Sequence, residues 1–251
     1  MSGSHPINLI RRSYPGRPEY GTAVSRAILI RVAAGELPPT MRIHRPGREV
    51  AFGRQDVAAP GYERAAQAAV DNGFAAVERL AGGRAAVFHE GTIALTRAYP
   101  DPEPPRRTYQ RFGEMAGMVR DALSRIGIAD PRVGEVPGEY CPGAFSVNSR
   151  GRRKLAGIGQ RMISGGAHVG GVVVASGDED IRDVLIPVYE ALELDWSPET
   201  TGSAASELGR PIDPEELAEA LVTEMSAAHD LIEAEVDEET AALATRLLNG
   251  A

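Results

Sequence analysis

Gly138-Glu139-Tyr140-Cys141-Pro142-Gly143-Ala144-Phe145-Ser146-Val147, running on through Gly151-Arg152-Arg153 into Lys154-Leu155-Ala156-Gly157-Ile158-Gly159-Gln160-Arg161, is the stretch on which the reading of this chain turns. It holds the only cysteine, followed shortly by a lysine that opens an apolar, glycine-bearing run, which predicts a strand. A thiolate attacks acyl carbonyls, and an ammonium stabilises the charge that develops on the carbonyl oxygen, so the pair is what acyl transfer requires. Each residue also has a plainer role. A lone cysteine is most often a small buried hydrophobe, and a lysine after two arginines is an ordinary surface residue. Gly157 and Gly159 add weight to the first view, because they leave room for a ligand beside a sheet. Gln160 offers an amide there, although a glutamine exposed on a strand is just as common.

Outward from this stretch, the 251 residues suit one large domain or one domain with a small appendage. A hydrophobic content of 43% with 25% charged residues is that of a globular chain, and no apolar run is long enough to suggest a membrane span. The N-terminus lacks a basic region leading into an apolar run, so no secretory signal is expected, and one cysteine cannot form an intrachain disulfide. Both features point to the cytoplasm. A net charge of -8 argues against non-specific nucleic-acid binding. Acidic residues crowd Glu215 to Glu239, whereas basic residues gather at Arg11-Arg12, Arg42 to Arg54, Arg106-Arg107 and Arg150 to Lys154. These clusters would form either a docking face for an acidic protein or a merely solvated surface.

In chain order, residues 1–19 carry no clear period and read as a loosely packed lead-in. A helix is expected from near Thr22 to Gly35, then a hairpin of Met41–His44 and Glu49–Phe52 about Pro46-Gly47. A helix over Tyr62–Asn72 follows, then strands at Ala75–Leu80, Ala85–Phe88 and Thr92–Thr96. After a Pro-rich linker, Phe112, Met115, Val119, Leu123 and Ile126 mark an amphipathic helix. Strands are expected at Ala144–Val147, Leu155–Met162 and Ala167–Ala175. Helices over Asp180–Leu192, kinked at Pro187, then Asp213–Ala228 and Glu238–Leu248, close the chain, with Asp213 as an N-cap and residues 230–251 as a helical appendage. Strands and helices mix without regular βαβ alternation, which predicts an α+β fold with one mainly antiparallel or mixed sheet flanked by helices.

A second concentration of signal is Glu78-Arg79-Leu80-Ala81-Gly82-Gly83-Arg84, continuing to His89-Glu90-Gly91. Adjacent glycines let the backbone approach a ligand and present N–H groups to a carboxylate, thioester or phosphate oxygen, though such a pair is more often a turn. The spacing fits neither a P-loop nor a dinucleotide fingerprint. His89 is a general base or a structural histidine. Five scattered histidines and one cysteine give no metal-ligand cluster.

Taken together, the two stretches resemble the lipoate-protein ligase and octanoyltransferase family, which shares its catalytic fold with biotin protein ligases. Arg79 with Gly82-Gly83 looks like the family's glycine-rich acyl-binding loop, and Lys154 to Gln160 looks like its lysine strand. The resemblance runs from about Thr22 to about Ala228. Tyr140-Cys141-Pro142-Gly143 is most similar to octanoyl-[glycine cleavage H protein] N-octanoyltransferases, which work through a cysteine thioester. ATP-dependent ligases often carry a His-His-Gly run where this chain reads His168-Val169-Gly170. The resemblance implies catalytic roles for Cys141 and Lys154, and substrate contacts from Arg79, Gly82, Gly83, His89, Gly157, Gln160 and His168. It implies an acyl-carrier or glycine cleavage H-like donor, a lipoyl-domain acceptor and an octanoyl or lipoyl group, with no cofactor. Under the alternative of an ATP-dependent lipoate ligase, ATP and magnesium would be needed. A third alternative is an inert carrier-protein-binding module in which Cys141 is packing.

Overall fold

The computed structural model describes residues 6–250. Strands are Ile7–Ile10 (β1), Thr40–His44 (β2), Glu49–Phe52 (β3), Ala75–Glu78 (β4), Ala86–Phe88 (β5), Thr92–Pro100 (β6), Pro131–Val133 (β7), Val147–Ser149 (β8), Arg153–Ile163 (β9), Gly166–Val174 (β10) and Leu231–Glu233 (β11). Helices are Pro18–Ala33 (α1), Arg54–Val57 (α2), Tyr62–Asp71 (α3), Thr108–Arg125 (α4), Asp178–Ala191 (α5), Ala204–Leu208 (α6), Pro214–Ala228 (α7) and Glu238–Leu248 (α8).

An eight-stranded mixed sheet runs in the order β11-β1-β2-β6-β10-β9-β8-β7, and a three-stranded sheet in the order β4-β3-β5. The architecture is α+β. Only the β11-β1-β2 edge of the large sheet is parallel; the other pairings are antiparallel. Side chains alternate across a strand, so each face has its own core. Val169 and Val173 of β10, Ile93 and Leu95 of β6 and Met41 and Ile43 of β2 pack under α4 and α7. The opposite face therefore carries His168 and Gly170, Ala94 and Thr96, and Arg42 and His44. It is covered by α1, which packs in turn against α8. The small sheet packs with α3 and α5 in a second core.

Four expectations need correction. The two strands about Pro46-Gly47 exist but do not form a hairpin: β2 pairs with β1 and β6, while β3 pairs with β4 and β5. The turn carries the chain between sheets, and a Cβ on Gly47 would lie 2.1 Å from the Pro15 carbonyl oxygen, so the backbone there is packed rather than free. The lead-in, of which residues 1–5 lie outside the described residues, contributes β1, whose Ile7, Leu9 and Ile10 are buried. The C-terminal segment is more than a helical appendage, since β11 extends the sheet beside β1. The strand expected at Ala144–Val147 begins only at Val147, because Gly143 to Ser146 form a turn closed by the Ser146 N–H on the Gly143 carbonyl. Asp213 caps α7 as expected, accepting from the Glu215 N–H at 3.0 Å, and Pro187 sits inside α5.

Candidate active site

Cys141 sits in the loop between β7 and β8, in the left-handed region at φ 43°, an uncommon and strained conformation for a residue with a Cβ. Its surroundings fix it there. The buried Glu139 accepts from the N–H groups of Val136 and Gly143, at 3.0 and 3.2 Å, and from the Ser146 hydroxyl, knitting the loop around one carboxylate. Lys154 enters from the start of β9, 1% exposed, and donates to Glu139 Oε1 at 3.0 Å and to the carbonyl oxygens of Tyr140 and Cys141 at 2.9 and 2.8 Å. Its Nζ also lies 4.8 Å from the centre of the Tyr140 ring. Three acceptors for three N–H donors satisfy the ammonium, which makes burial of the charge tolerable.

The glycine loop closes over the sulfur. The Arg84 backbone N–H points at Cys141 Sγ at 3.2 Å, and Arg79 Nη1 lies 3.6 Å from the same atom. Arg79 Nη1 also donates to the Arg84 carbonyl at 2.9 Å, and the Gly82 N–H donates to the Gln160 carbonyl at 3.2 Å, pinning the loop to β9. Gly83 adopts φ +116°, and a Cβ there would lie 2.9 Å from Cys141 Sγ. The buried Asp56 holds the Arg84 side chain at 3.1 Å, and Tyr189 bridges the two loops, accepting from the Cys141 N–H at 2.8 Å and donating to the Ala85 carbonyl at 3.0 Å. A sulfur with two donors aimed at it is well placed to carry negative charge during attack and departure.

Gly157 and Gly159 lie on the face of β9 turned to this loop: a Cβ on Gly157 would meet Lys154 Cε at 3.2 Å, and one on Gly159 would meet Arg79 Nη2 at 2.8 Å. Gln160 is one residue out of phase. Its side chain is on the other face, where Oε1 accepts from Arg111 Nε at 2.5 Å, and only its carbonyl reaches the glycine loop. Arg79 lines a cavity over the α1-covered face of the large sheet, shared with Leu80, Ala81, Gly170 and His168. Burial and the nearby guanidinium groups of Arg42 and Arg79 push the His168 imidazole down to about 4. His89 is elsewhere: it closes the β5–β6 crossing, its Nδ1 accepting from the Gly91 N–H at 3.0 Å, and Cβ atoms on Gly91 and Gly177 would press on its Cε1 at 2.8 and 2.6 Å. Among the described residues, no group of three or more His, Cys, Asp or Glu is arranged to hold a metal ion, and no helix is long and apolar enough to cross a membrane.

Glu139, Asp56, Arg84 and Tyr189 escaped the sequence reading. Glu139 had a signal, a carboxylate two residues before the cysteine, but Tyr189 comes from a distant helix and had none. Two members of the basic clusters are engaged within the fold. Arg42 is buried, donating to the Gly21 carbonyl and Ser25 Oγ, and Arg11 is tied to Glu215, Glu219 and Glu233 in the acidic C-terminal region.

Fold and site together define an α+β catalytic domain of the lipoate-ligase type, with a buried lysine and a cysteine beneath a glycine loop. The chain belongs to the lipoyl protein ligase A/B catalytic domain family, whose model matches residues 17–226. It is 31% identical over 216 residues to an octanoyl-[GcvH]:protein N-octanoyltransferase from Bacillus velezensis, covering 81% of this chain and 74% of that protein. It is 28% identical over 156 residues to a lipoyl-[GcvH]:protein N-lipoyltransferase from Listeria monocytogenes, covering 62% of this chain and 55% of that one. In fold it is similar to the bi-partite lipoate protein ligase of Thermoplasma acidophilum, with a TM-score of 0.72 at 18% identity, 97% of this chain and 92% of the other being covered. A lipoate-protein ligase A bound with ATP gives a TM-score of 0.76 at 19% identity, with 98% and 95% covered.

Proposed function

We infer that this protein is an acyltransferase that moves an octanoyl or lipoyl group from a glycine cleavage H-like or acyl-carrier donor, through a thioester on Cys141, to a lysine of a lipoyl-domain acceptor. The observation that carries the reading is the placement of Cys141 Sγ, 3.2 Å from the Arg84 N–H and 3.6 Å from Arg79 Nη1, where Arg79 also lines the cavity. Family membership and the acyl-transferring relatives support the reaction class.

In the first half-reaction Cys141 Sγ attacks the acyl carbonyl, the S–C bond forms, the bond to the donor's nitrogen or sulfur breaks, and the thiol proton leaves on that departing group. In the second, an acceptor lysine amine attacks the thioester carbonyl, its lost proton returns to Cys141, and the product is an amide. Arg79 and the Arg84 N–H stabilise the sulfur as it gains charge. Lys154 and Glu139 hold the loop that presents it. Gly82, Gly83, Gly157 and Gly159 leave the space the acyl group needs, and His168 lines the cavity that receives its chain. No cofactor enters these steps, and a free thiol nucleophile suits the reducing cytoplasm. The described residues act as one catalytic domain, with β11 (Leu231–Glu233) forming one edge of the large sheet.

Incubation with an octanoylated donor and an apo lipoyl domain, with and without ATP, tests the reading. ATP-independent gain of one acyl mass on the acceptor supports it. Transfer of free lipoate only with magnesium and ATP, releasing AMP, would establish the ligase alternative, and a Cys141 inert to thiol reagents would favour a binding module.

A further inference from the structure

Arg97 of β6 stands opposite Met41 of β2 and Val169 of β10 in the strand register. Its side chain therefore enters the layer beneath α4 and α7, on the face of the sheet away from the cavity of Arg79, Gly170 and His168. It is 8% exposed, and there it borders a second cavity of about 330 Å³. Among the described residues the guanidinium is met by neutral groups. Nη1 donates to His229 Nε2 at 3.1 Å and lies 3.8 Å from Met225 Sδ, and the head sits 4.3 Å from the centre of the Tyr99 ring. Burial and the adjacent Arg97 push the His229 imidazole below its ordinary range, so it stands uncharged at neutral pH and accepts that bond. Arg97 Nε is buried with no hydrogen-bond partner among the described residues.

A buried charge without an opposite charge is costly, and an anion that pairs with it removes part of that cost. With Nη1 engaged by His229, the Nε–Nη2 edge is the one that can take both oxygens of a carboxylate. Met115, Met118 and Met225 line the rest of the cavity, and flexible thioethers adapt to an apolar chain. Two carboxylates also line it, but each has another partner: Glu224 pairs with Arg125 at 2.6 Å, and Glu114 accepts from Gln110 at 2.9 Å. Their charge disfavours a second negative charge on a ligand, and so favours a monoanion over a phosphate ester. We propose that this cavity is a binding site for a small apolar monocarboxylate, whose head pairs with Arg97 and whose chain lies against the three methionines. The site is separated from Cys141 by the sheet, and the proposal is independent of the acyl-transfer reading.

Three of the six methionines line the cavity, so spectra of the full chain carrying methyl-13C methionine locate binding directly. Hexanoate is the probe, and hexanamide, the same chain with a neutral head, is its control. Hexanoate is expected to shift the Met115, Met118 and Met225 methyl signals saturably while leaving Met162 of β9 in place, and to bind roughly tenfold or more tightly than hexanamide. Arg97→Gln removes a charge that has no ion-pair partner among the described residues, so the variant should fold, and it should bring the two probes to within about twofold. Met118→Trp, which fills the cavity and keeps the charge, should abolish the shifts of Met115 and Met225. No saturable shift with hexanoate up to about 20 mM, equal binding of hexanamide, a preference unchanged in Arg97→Gln, or shifts that persist in Met118→Trp would each overturn the proposal.

Discussion

Lys154 Nζ donates to the carbonyl oxygen of Cys141 at 2.8 Å, so the lysine grips the backbone of the residue whose side chain is the nucleophile. The same ammonium meets Glu139, itself fully buried, at 3.0 Å. In this state Lys154 shapes the loop rather than waiting with free donors for an acyl carbonyl; to hold that carbonyl it must exchange one of its three bonds. Lys154→Met would leave Glu139 charged, buried and unpaired, and is expected to destabilise the protein by about 3–5 kcal/mol. Glu139→Gln, which keeps the shape, should cost less, about 1–3 kcal/mol. Urea midpoints of the variants check both, and a Lys154→Met midpoint equal to wild type would refute the structural role.

Gly83 has no space for a side chain. Alanine would be strained at φ +116° and would place its Cβ 2.9 Å from Cys141 Sγ. Gly83→Ala is expected to destabilise by about 1–3 kcal/mol and to slow acylation of Cys141 roughly tenfold or more, as expected for a misplaced reacting atom. Gly117→Ala is the control: it lies within α4 with nothing near its would-be Cβ, and should stabilise by about 0.5–1 kcal/mol with activity unchanged. Thermal melts beside single-turnover acylation separate the two effects.

Tyr189→Phe removes the hydroxyl that receives the Cys141 N–H and reaches the Ala85 carbonyl. Two backbone groups lose their partner, so a stability loss of about 1–3 kcal/mol is expected. Acylation should fall further than this loss of folded protein explains, because the Cys141 backbone loses its anchor. Activity normalised to the folded fraction provides the measurement, and normal specific activity would contradict the account.

The position of the residues in the chain explains what could be read in advance. Lys154, Gly157 and Gly159 were legible because an alternating strand with glycines on one face is a local pattern, and β9 and β10 fall where expected. Partner choice is not local: only residues 45–48 separate β2 from β3, yet the two strands join different sheets. The short β7 and β11, each three residues, lack enough period to show. Gln160 illustrates the cost of phase, since one step along β9 turns its side chain to α4 and Arg111.

His168 predicts an acid-side dependence. Its imidazole titrates near 6.5 when unfolded and is pushed down to about 4 by burial when folded. The unfolded chain therefore binds a proton first as pH falls, and the stability this residue supports is complete above about 6.5 and is lost progressively towards 4. His168→Gln cannot take up that proton, so its melting temperature should fall less than that of wild type between pH 7 and pH 4.5. Parallel slopes would show that His168 is not desolvated as described.

The central claim is that Cys141 carries the acyl group, and intact-mass measurement after mixing with an octanoylated or lipoylated donor protein tests it most directly. The account predicts a gain of one acyl mass on wild type, located at Cys141, reversed by hydroxylamine, absent from Cys141→Ala and discharged when an apo lipoyl domain is added. An unmodified wild-type protein that still transfers the group, or undiminished transfer by Cys141→Ala, would contradict it.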